Sequence, residues 1–206
     1  MDIRRCLKLY LVLETSVLRI PLDDFIMQVT DGGVTAIQLR DKTHSAARRF
    51  AAAKYIKPLI DKKDTLFIIN NNADIAVAVG AHGVHLGPDD LPPAIVKKYF
   101  PGLYVGVSCN NNDDCAAANE SGADYAGAGP VFFSATKTDL RTVLEPEGVK
   151  NITEKLNMPT IAIGGINAEN AVTLKNCGVV GIAVSAAICR SETPYETVQA
   201  LRRFYL

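Results

Sequence analysis

Histidine is scarce in this 206-residue chain: only His44, His82 and His85 occur, and none stands in an evident Ser-His-Asp or Cys-His arrangement. HxxxH and HxH clusters are missing too, which removes the commonest zinc ligand patterns. The chemistry is therefore not expected to depend on an activated protein nucleophile. Cysteine is present five times (Cys6, Cys109, Cys115, Cys177, Cys189), an odd number without a CxxC pair. That excludes a disulfide framework and a structural zinc site, and buried free thiols in a reducing cytoplasm are the expectation. Charge of one sign is also lacking, with 22 Lys and Arg against 22 Asp and Glu. No overall field draws the chain to nucleic acid or to an anionic membrane, so small molecules are the expected partners. No apolar run approaches the ~20 residues that span a bilayer. The opening MDIRRCLKLYLVLET reads as a first β-strand rather than a leader, because Lys8 and Glu14 bracket its apolar run. A soluble protein is expected.

What the chain does have is a strand-then-helix rhythm. Runs rich in aliphatic and β-branched residues recur at Lys8–Glu14, Val34–Arg40, Leu66–Asn70, Gly83–Leu86, Leu103–Ser108, Tyr125–Gly129, Thr160–Gly164 and Gly181–Ser185. Between them, Leu22, Phe25, Ile26 and Val29 fall at helical spacing before Gly32-Gly33, and Thr43 or Ser45 can cap a helix running to about Ile60. Asn110–Asn112 open another helix, Asn167 caps one through Asn176, and Thr193-Pro194 starts the last, with Gly122, Gly148 and Gly178 punctuating the joints. Eight strands alternating with helices, and no GxGxxG after the first, predict a single-domain (β/α)8 barrel over residues 1–206 rather than an open doubly wound sheet.

In such a barrel the C-terminal strand ends carry the chemistry, and unusual polar and glycine residues cluster there. Strand two ends in Gln38-Leu39-Arg40-Asp41-Lys42, strand three in Asn70-Asn71-Asn72, strand four in His85-Leu86-Gly87-Pro88-Asp89-Asp90 and strand five in Ser108. Strands seven and eight end in Gly164-Gly165 and Ser185-Ala186-Ala187, the positions where barrel enzymes commonly hold phosphate with backbone N–H groups. Arg40, Lys42 and Lys137 add positive charge to the same rim, suited to a second, more highly charged anion. Asp89 and Asp90 either hold Mg2+ or cap the helix that begins near Leu91-Pro92-Pro93. His85 either lines the pocket or is a packed structural histidine.

Taken together, GGVTAIQLRDK (Gly32–Lys42), IIN (Ile68–Asn70), GVHLGPDDLP (Gly83–Pro92), GVS (Gly106–Ser108), GADYAGAGPVF (Gly122–Phe132), ATKTD (Ala135–Asp139), AIGGINAEN (Ala162–Asn170) and IAVSAAI (Ile182–Ile188) resemble the thiamine-phosphate synthase family over nearly the whole chain. The resemblance implies a transferase that joins hydroxymethylpyrimidine diphosphate to hydroxyethylthiazole phosphate with help from Mg2+. It implies that Gln38, Leu39, Arg40, Asp41, Lys42 and Asn70 contact the pyrimidine diphosphate, and that Asp90, with Asn71, provides the metal site. Ser108 and Lys137 would sit at the diphosphate or the reacting pyrimidine, with Arg40 and Lys42 also assigned to catalysis. Ser134, Ala135 and Thr136 would lie by the thiazole, and Gly165, Val184 and Ser185 would hold its phosphate.

This sequence departs from the family pattern at Asn71, where Asp is usual, and at Asn72, where Arg is usual. A weaker metal site is expected, since an Asn carbonyl coordinates Mg2+ without contributing charge. Asn110 replaces a usual His, which counts against the related thiazole tautomerases, and Phe133-Ser134-Ala135 replaces Pro-Thr-Pro. A working synthase is the leading expectation, and a catalytically impaired paralogue that binds thiamine phosphate or its precursors is the alternative. Another phosphate-handling barrel enzyme would need a metal-histidine set or a carboxylate-lysine arrangement that cannot be assembled here. Nothing in the sequence fixes oligomeric state, which leaves room for a homo-oligomer.

Overall fold

A computed structural model describes residues 2–41, 44–133 and 142–203. Eight parallel strands close into one barrel in chain order: β1 Leu9–Leu13, β2 Ala36–Leu39, β3 Leu66–Asn70, β4 Gly83–Leu86, β5 Tyr104–Cys109, β6 Tyr125–Ala128, β7 Thr160–Ile163 and β8 Gly181–Val184. Closure is made by β1 against β8, with Leu9 opposite Ile182 and Leu11 opposite Val184. Among the described residues the helices are α1 Ile3–Cys6, α2 Leu22–Gly32, α3 Ala46–Ile60, α4 Ala73–Val79, α5 Pro93–Tyr99, α6 Asn112–Glu120, α7 Glu145–Thr153, α8 Ala186–Cys189 and α9 Pro194–Arg202. None is long and apolar enough to cross a membrane.

The strand alternation sorts residues into two cores. Outward-facing Leu9, Leu11, Leu13, Ile37, Leu39, Phe67, Ile69, Val84 and Val105 pack beneath the helices together with Phe25, Ile26, Val29, Ile56 and Val198. Inward-facing Tyr10, Val12, Ala36, Leu66, Ile68, Tyr125, Ile161 and Ala183 fill the lumen. The interior is thus apolar at its base and open to polar residues only at the C-terminal strand ends, where the outermost inward positions fall.

Several helix ends are those the sequence specifies. Ser45 Oγ accepts the Arg48 N–H at 3.4 Å, Asn111 Oδ1 accepts the Asp114 N–H at 2.9 Å, and Gly33 ends α2 with φ of 108°. Other features differ. β3 and β4 have the expected bounds, β5 is shifted one residue later and the other five strands end one residue early, and α1 was not anticipated: Asp2 caps it through the Arg4 N–H, while Ile3 and Cys6 pack against the lumen cluster at the barrel's N-terminal end. The helix expected over Asn167–Asn176 is only a 3-10 turn, Ala171–Leu174. Asn167 Oδ1 does cap the segment by accepting the N–H groups of Glu169 and Asn170, but the turns beyond it close with i→i+3 bonds, from the Thr173 N–H to the Asn170 carbonyl and from the Lys175 N–H to the Val172 carbonyl. Gly148 lies inside α7 rather than at a joint. Neither Asp89 nor Asp90 caps α5, which starts after Pro92 without a side-chain cap, because Asp90 Oδ2 instead accepts the Gly87 N–H at 2.7 Å. Thr43, offered as a cap, lies outside the described residues.

Candidate active site

The alternation that buries Tyr10 and Val12 brings Glu14 to the top of β1, and the same period brings Gln38 and Arg40 from β2, Asn70 from β3, His85 from β4, Ser108 from β5, Ile163 from β7 and Ser185 after β8 to one level. These residues, with Gly164–Asn167 and Ala186-Ala187, line a cavity of about 280 Å3 at the C-terminal mouth of the barrel.

One wall is rigid backbone. Gly164 and Gly165 have φ of 106° and 66°, and a Cβ on Gly165 would lie 2.8 Å from Phe132 Cβ and from the carbonyl oxygens of Phe132 and Phe133. The turn is tied by Asn170, whose Nδ2 donates to the Gly165 carbonyl at 2.9 Å while its Oδ1 accepts the Asn167 N–H at 2.9 Å. Facing it, Ser185 stands at the start of α8 and its carbonyl accepts the Ile188 and Cys189 N–H groups. The two segments form a backbone cradle of the kind that barrels offer to a phosphate ester.

The opposite wall is polar side chains backed by a buried chain of hydrogen bonds. Gln38, 3% exposed, donates from Nε2 to the Tyr10 hydroxyl at 3.0 Å. The Tyr10 and Tyr125 hydroxyls are 2.9 Å apart, His85 Nδ1 is 3.2 Å from the Tyr125 hydroxyl, and His85 Nε2 is 3.1 Å from Ser108 Oγ. Burial pushes both tyrosine hydroxyls well above the ordinary phenol range, so both stay protonated.

Of the residues named from the sequence, Gln38, Arg40, Asn70, Ser108, Gly165 and Ser185 meet at this cavity. Leu39 and Val184 do not reach it with their side chains, which lie in the outer core. Asp41 is buried beside β2, where its carboxylate pairs with His44 Nδ1 at 2.5 Å. Asp90 lines a neighbouring hollow with Leu86, Leu91, Val107 and Ser108, and Asn71, exposed with φ of 67°, follows β3 with its N–H on the His85 carbonyl. Lys42, Ser134, Ala135, Thr136 and Lys137 lie outside the described residues. Glu14, Asn167 and the Tyr10–Tyr125 pair were missed. The available signal was the period-2 spacing of Tyr10, Val12 and Glu14, which marks them as one face of the first strand.

The model of thiamine monophosphate synthases matches residues 9–188. The chain belongs to that family. It is 37% identical over 203 residues to the thiamine-phosphate synthase of Pyrococcus abyssi, covering 98% of this chain and 97% of the relative. It is 42% identical over 176 residues to that of Archaeoglobus fulgidus, covering 84% and 83%. A solved thiamine phosphate pyrophosphorylase from Pyrococcus furiosus superposes with a TM-score of 0.90 at 36% identity over 99% of this chain and 98% of its own. A 3-hexulose-6-phosphate synthase from Salmonella typhimurium superposes at 0.70 with 16% identity, covering 97% of this chain and 98% of its own, a likeness of fold alone.

Proposed function

We propose that this family member is a thiamine-phosphate synthase that joins hydroxymethylpyrimidine diphosphate to hydroxyethylthiazole phosphate. The observation that supports this reading is the cavity itself: a glycine-built backbone turn faces a wall of Gln38, Arg40, Asn70 and Ser108, an arrangement suited to an anion at each end with two organic fragments between them. The methylene C–O bond of the pyrimidine breaks and the diphosphate departs with the bonding pair. The thiazole nitrogen lone pair then forms the new C–N bond, giving the thiazolium of thiamine phosphate. No proton is transferred in this exchange, so Ser108, although hydrogen-bonded to His85, is not required as a nucleophile. Catalysis is positioning plus stabilisation of the leaving charge, with Arg40 and Ser108 at the diphosphate and the Gly164–Asn167 and Ser185–Ala187 segments at the thiazole phosphate. Lys42 and Lys137, by the family resemblance, add cationic charge to the diphosphate side.

Magnesium fits as an ion held chiefly by water and substrate. No group of three or more His, Cys, Asp or Glu suited to a metal occurs among the described residues, and Asp90 has one carboxylate oxygen engaged by Gly87. The other oxygen, the Asn71 carbonyl and the diphosphate would complete the set that Mg2+ prefers, and the ion would neutralise leaving-group charge. The binding-only alternative rested on Asn71 and Asn72, and identity of 37–42% with curated synthases over most of the chain weighs against it. Small-molecule substrates and free thiols suit a cytoplasmic enzyme. Mixing the purified protein with both substrates, with and without Mg2+, and following thiamine phosphate by mass spectrometry tests the reading. Metal-dependent product supports it, and binding without product overturns it.

A further inference from the structure

The buried chain from Gln38 to Ser108 can be resolved proton by proton. Each tyrosine hydroxyl has one proton to donate, and burial keeps it there. Tyr10, 0% exposed, has two polar neighbours, Gln38 Nε2 and the Tyr125 hydroxyl. Because Nε2 is a donor, Tyr10 accepts from it, and its own proton goes to Tyr125. A buried O–H left without an acceptor would lose its hydration with nothing in return. Tyr125, also 0% exposed, then spends its own proton on the remaining neighbour, His85 Nδ1. That nitrogen is therefore the acceptor, the imidazole proton sits on Nε2, and Nε2 donates to Ser108 Oγ. The Ser108 hydroxyl proton is left to point into the cavity. Turning the Gln38 amide by half a turn would present Oε1 to Tyr10 and reverse every donor along the chain. Ser108 would then donate to His85 and offer the cavity only a lone pair.

We infer that Tyr10, Tyr125 and His85 form a two-state relay that couples Gln38 to Ser108, making Ser108 a donor only when Gln38 offers Oε1 to the ligand. The inference rests on the synthase reading for its ligand: a heteroaromatic amine that donates to Gln38 and an anionic oxygen that accepts from Ser108. An aminopyrimidine diphosphate satisfies both ends at once. An oxopyrimidine diphosphate, which needs a donor at Gln38, turns Ser108 into the wrong partner for its anion. The three relay residues are positioning residues, since only Gln38 and Ser108 meet ligand in this scheme.

The test is the tautomer of His85 near pH 8, read from imidazole 15N shifts in the histidine-labelled protein, with His44→Gln and His82→Gln variants assigning the other two rings. Expected are the Nε2–H tautomer with and without hydroxymethylpyrimidine diphosphate, and loss of that single form in Tyr125→Phe. Tyr10→Phe should narrow the kcat/KM preference for the aminopyrimidine over the oxopyrimidine diphosphate at least about 10-fold, which corresponds to about 1.4 kcal/mol of discrimination, with KM for the thiazole phosphate unchanged. An imidazolium, or an Nδ1–H tautomer with hydroxymethylpyrimidine diphosphate bound, overturns the relay, as does an unaltered Nε2–H signal in Tyr125→Phe. A protein that makes no thiamine phosphate sinks the synthase reading yet leaves the tautomer measurable, so the two failures are separable.

Discussion

A Cβ on Gly106 would lie 2.1 Å from Cζ of Tyr125 and 2.5 Å from its hydroxyl oxygen, so the Tyr125 ring occupies the space that a side chain on β5 would take. Gly106 opposes Tyr125 in the β5–β6 register, and the missing side chain is what allows a phenol to cross the lumen toward Tyr10. Gly106→Ala should destabilise the fold by about 2–4 kcal/mol, because neither the strand nor the buried ring can move away. Urea denaturation checks it; a loss under about 0.5 kcal/mol would mean the ring has room to shift.

In the glycine turn after β7, Gly165→Ala meets both a left-handed φ of 66° and carbonyl oxygens at 2.8 Å. The loop must open to admit the methyl group, which on the proposed reading displaces the donors that would face the thiazole phosphate. KM for that substrate should rise at least about 10-fold with the pyrimidine diphosphate KM little changed, since a backbone–phosphate interaction is worth about 1.5–3 kcal/mol. Steady-state kinetics with each substrate varied in turn decides the point, and an equal rise in both values would place the phosphate elsewhere.

Asn71 adopts a left-handed conformation that Asp also tolerates, and its side chain is exposed. Asn71→Asp should therefore leave the melting temperature close to that of the parent and, if Asn71 is a ligand as proposed, lower the Mg2+ concentration needed for half-maximal rate several-fold by adding a charged oxygen to the proposed metal site. An unchanged magnesium titration would remove Asn71 from that site.

His82 has its pKa lowered, first by desolvation and then by Lys57, and its Nδ1 accepts the Phe67 N–H at 2.8 Å, a bond only the neutral ring can make. With the folded pKa below the unfolded value of about 6.5, the unfolded chain takes up the proton first as pH falls. The contribution of His82 to stability is therefore complete above about pH 6.5 and declines below it, through the folded pKa. Urea midpoints of the wild type should drop between pH 7 and pH 5.5 by more than those of His82→Gln, whose amide oxygen can accept the same N–H. Parallel decreases in the two proteins would assign the acid sensitivity to other groups.

Hydrophobic period and turn residues alone were enough for the eight strands, the closed barrel order and the helices capped by Ser45 and Asn111, because those signals are local and repeat along the chain. They also put Gln38, Arg40, Asn70, Ser108, Gly165 and Ser185 at strand ends, and parallel strands of a barrel bring all such ends to one mouth. The rest was decided by tertiary structure. Leu39 and Val184 sit beside the site in sequence yet face the helices, since alternation along a strand turns neighbours to opposite sides. Asp90 is drawn to the Gly87 amide instead of a helix cap by the geometry of its own loop. The path Gln38–Tyr10–Tyr125–His85–Ser108 joins five different strands, and no pattern within one segment encodes it. It exists because closing the barrel brings long polar side chains from separate strands together where water cannot satisfy them, and each must then take its partner from across the lumen.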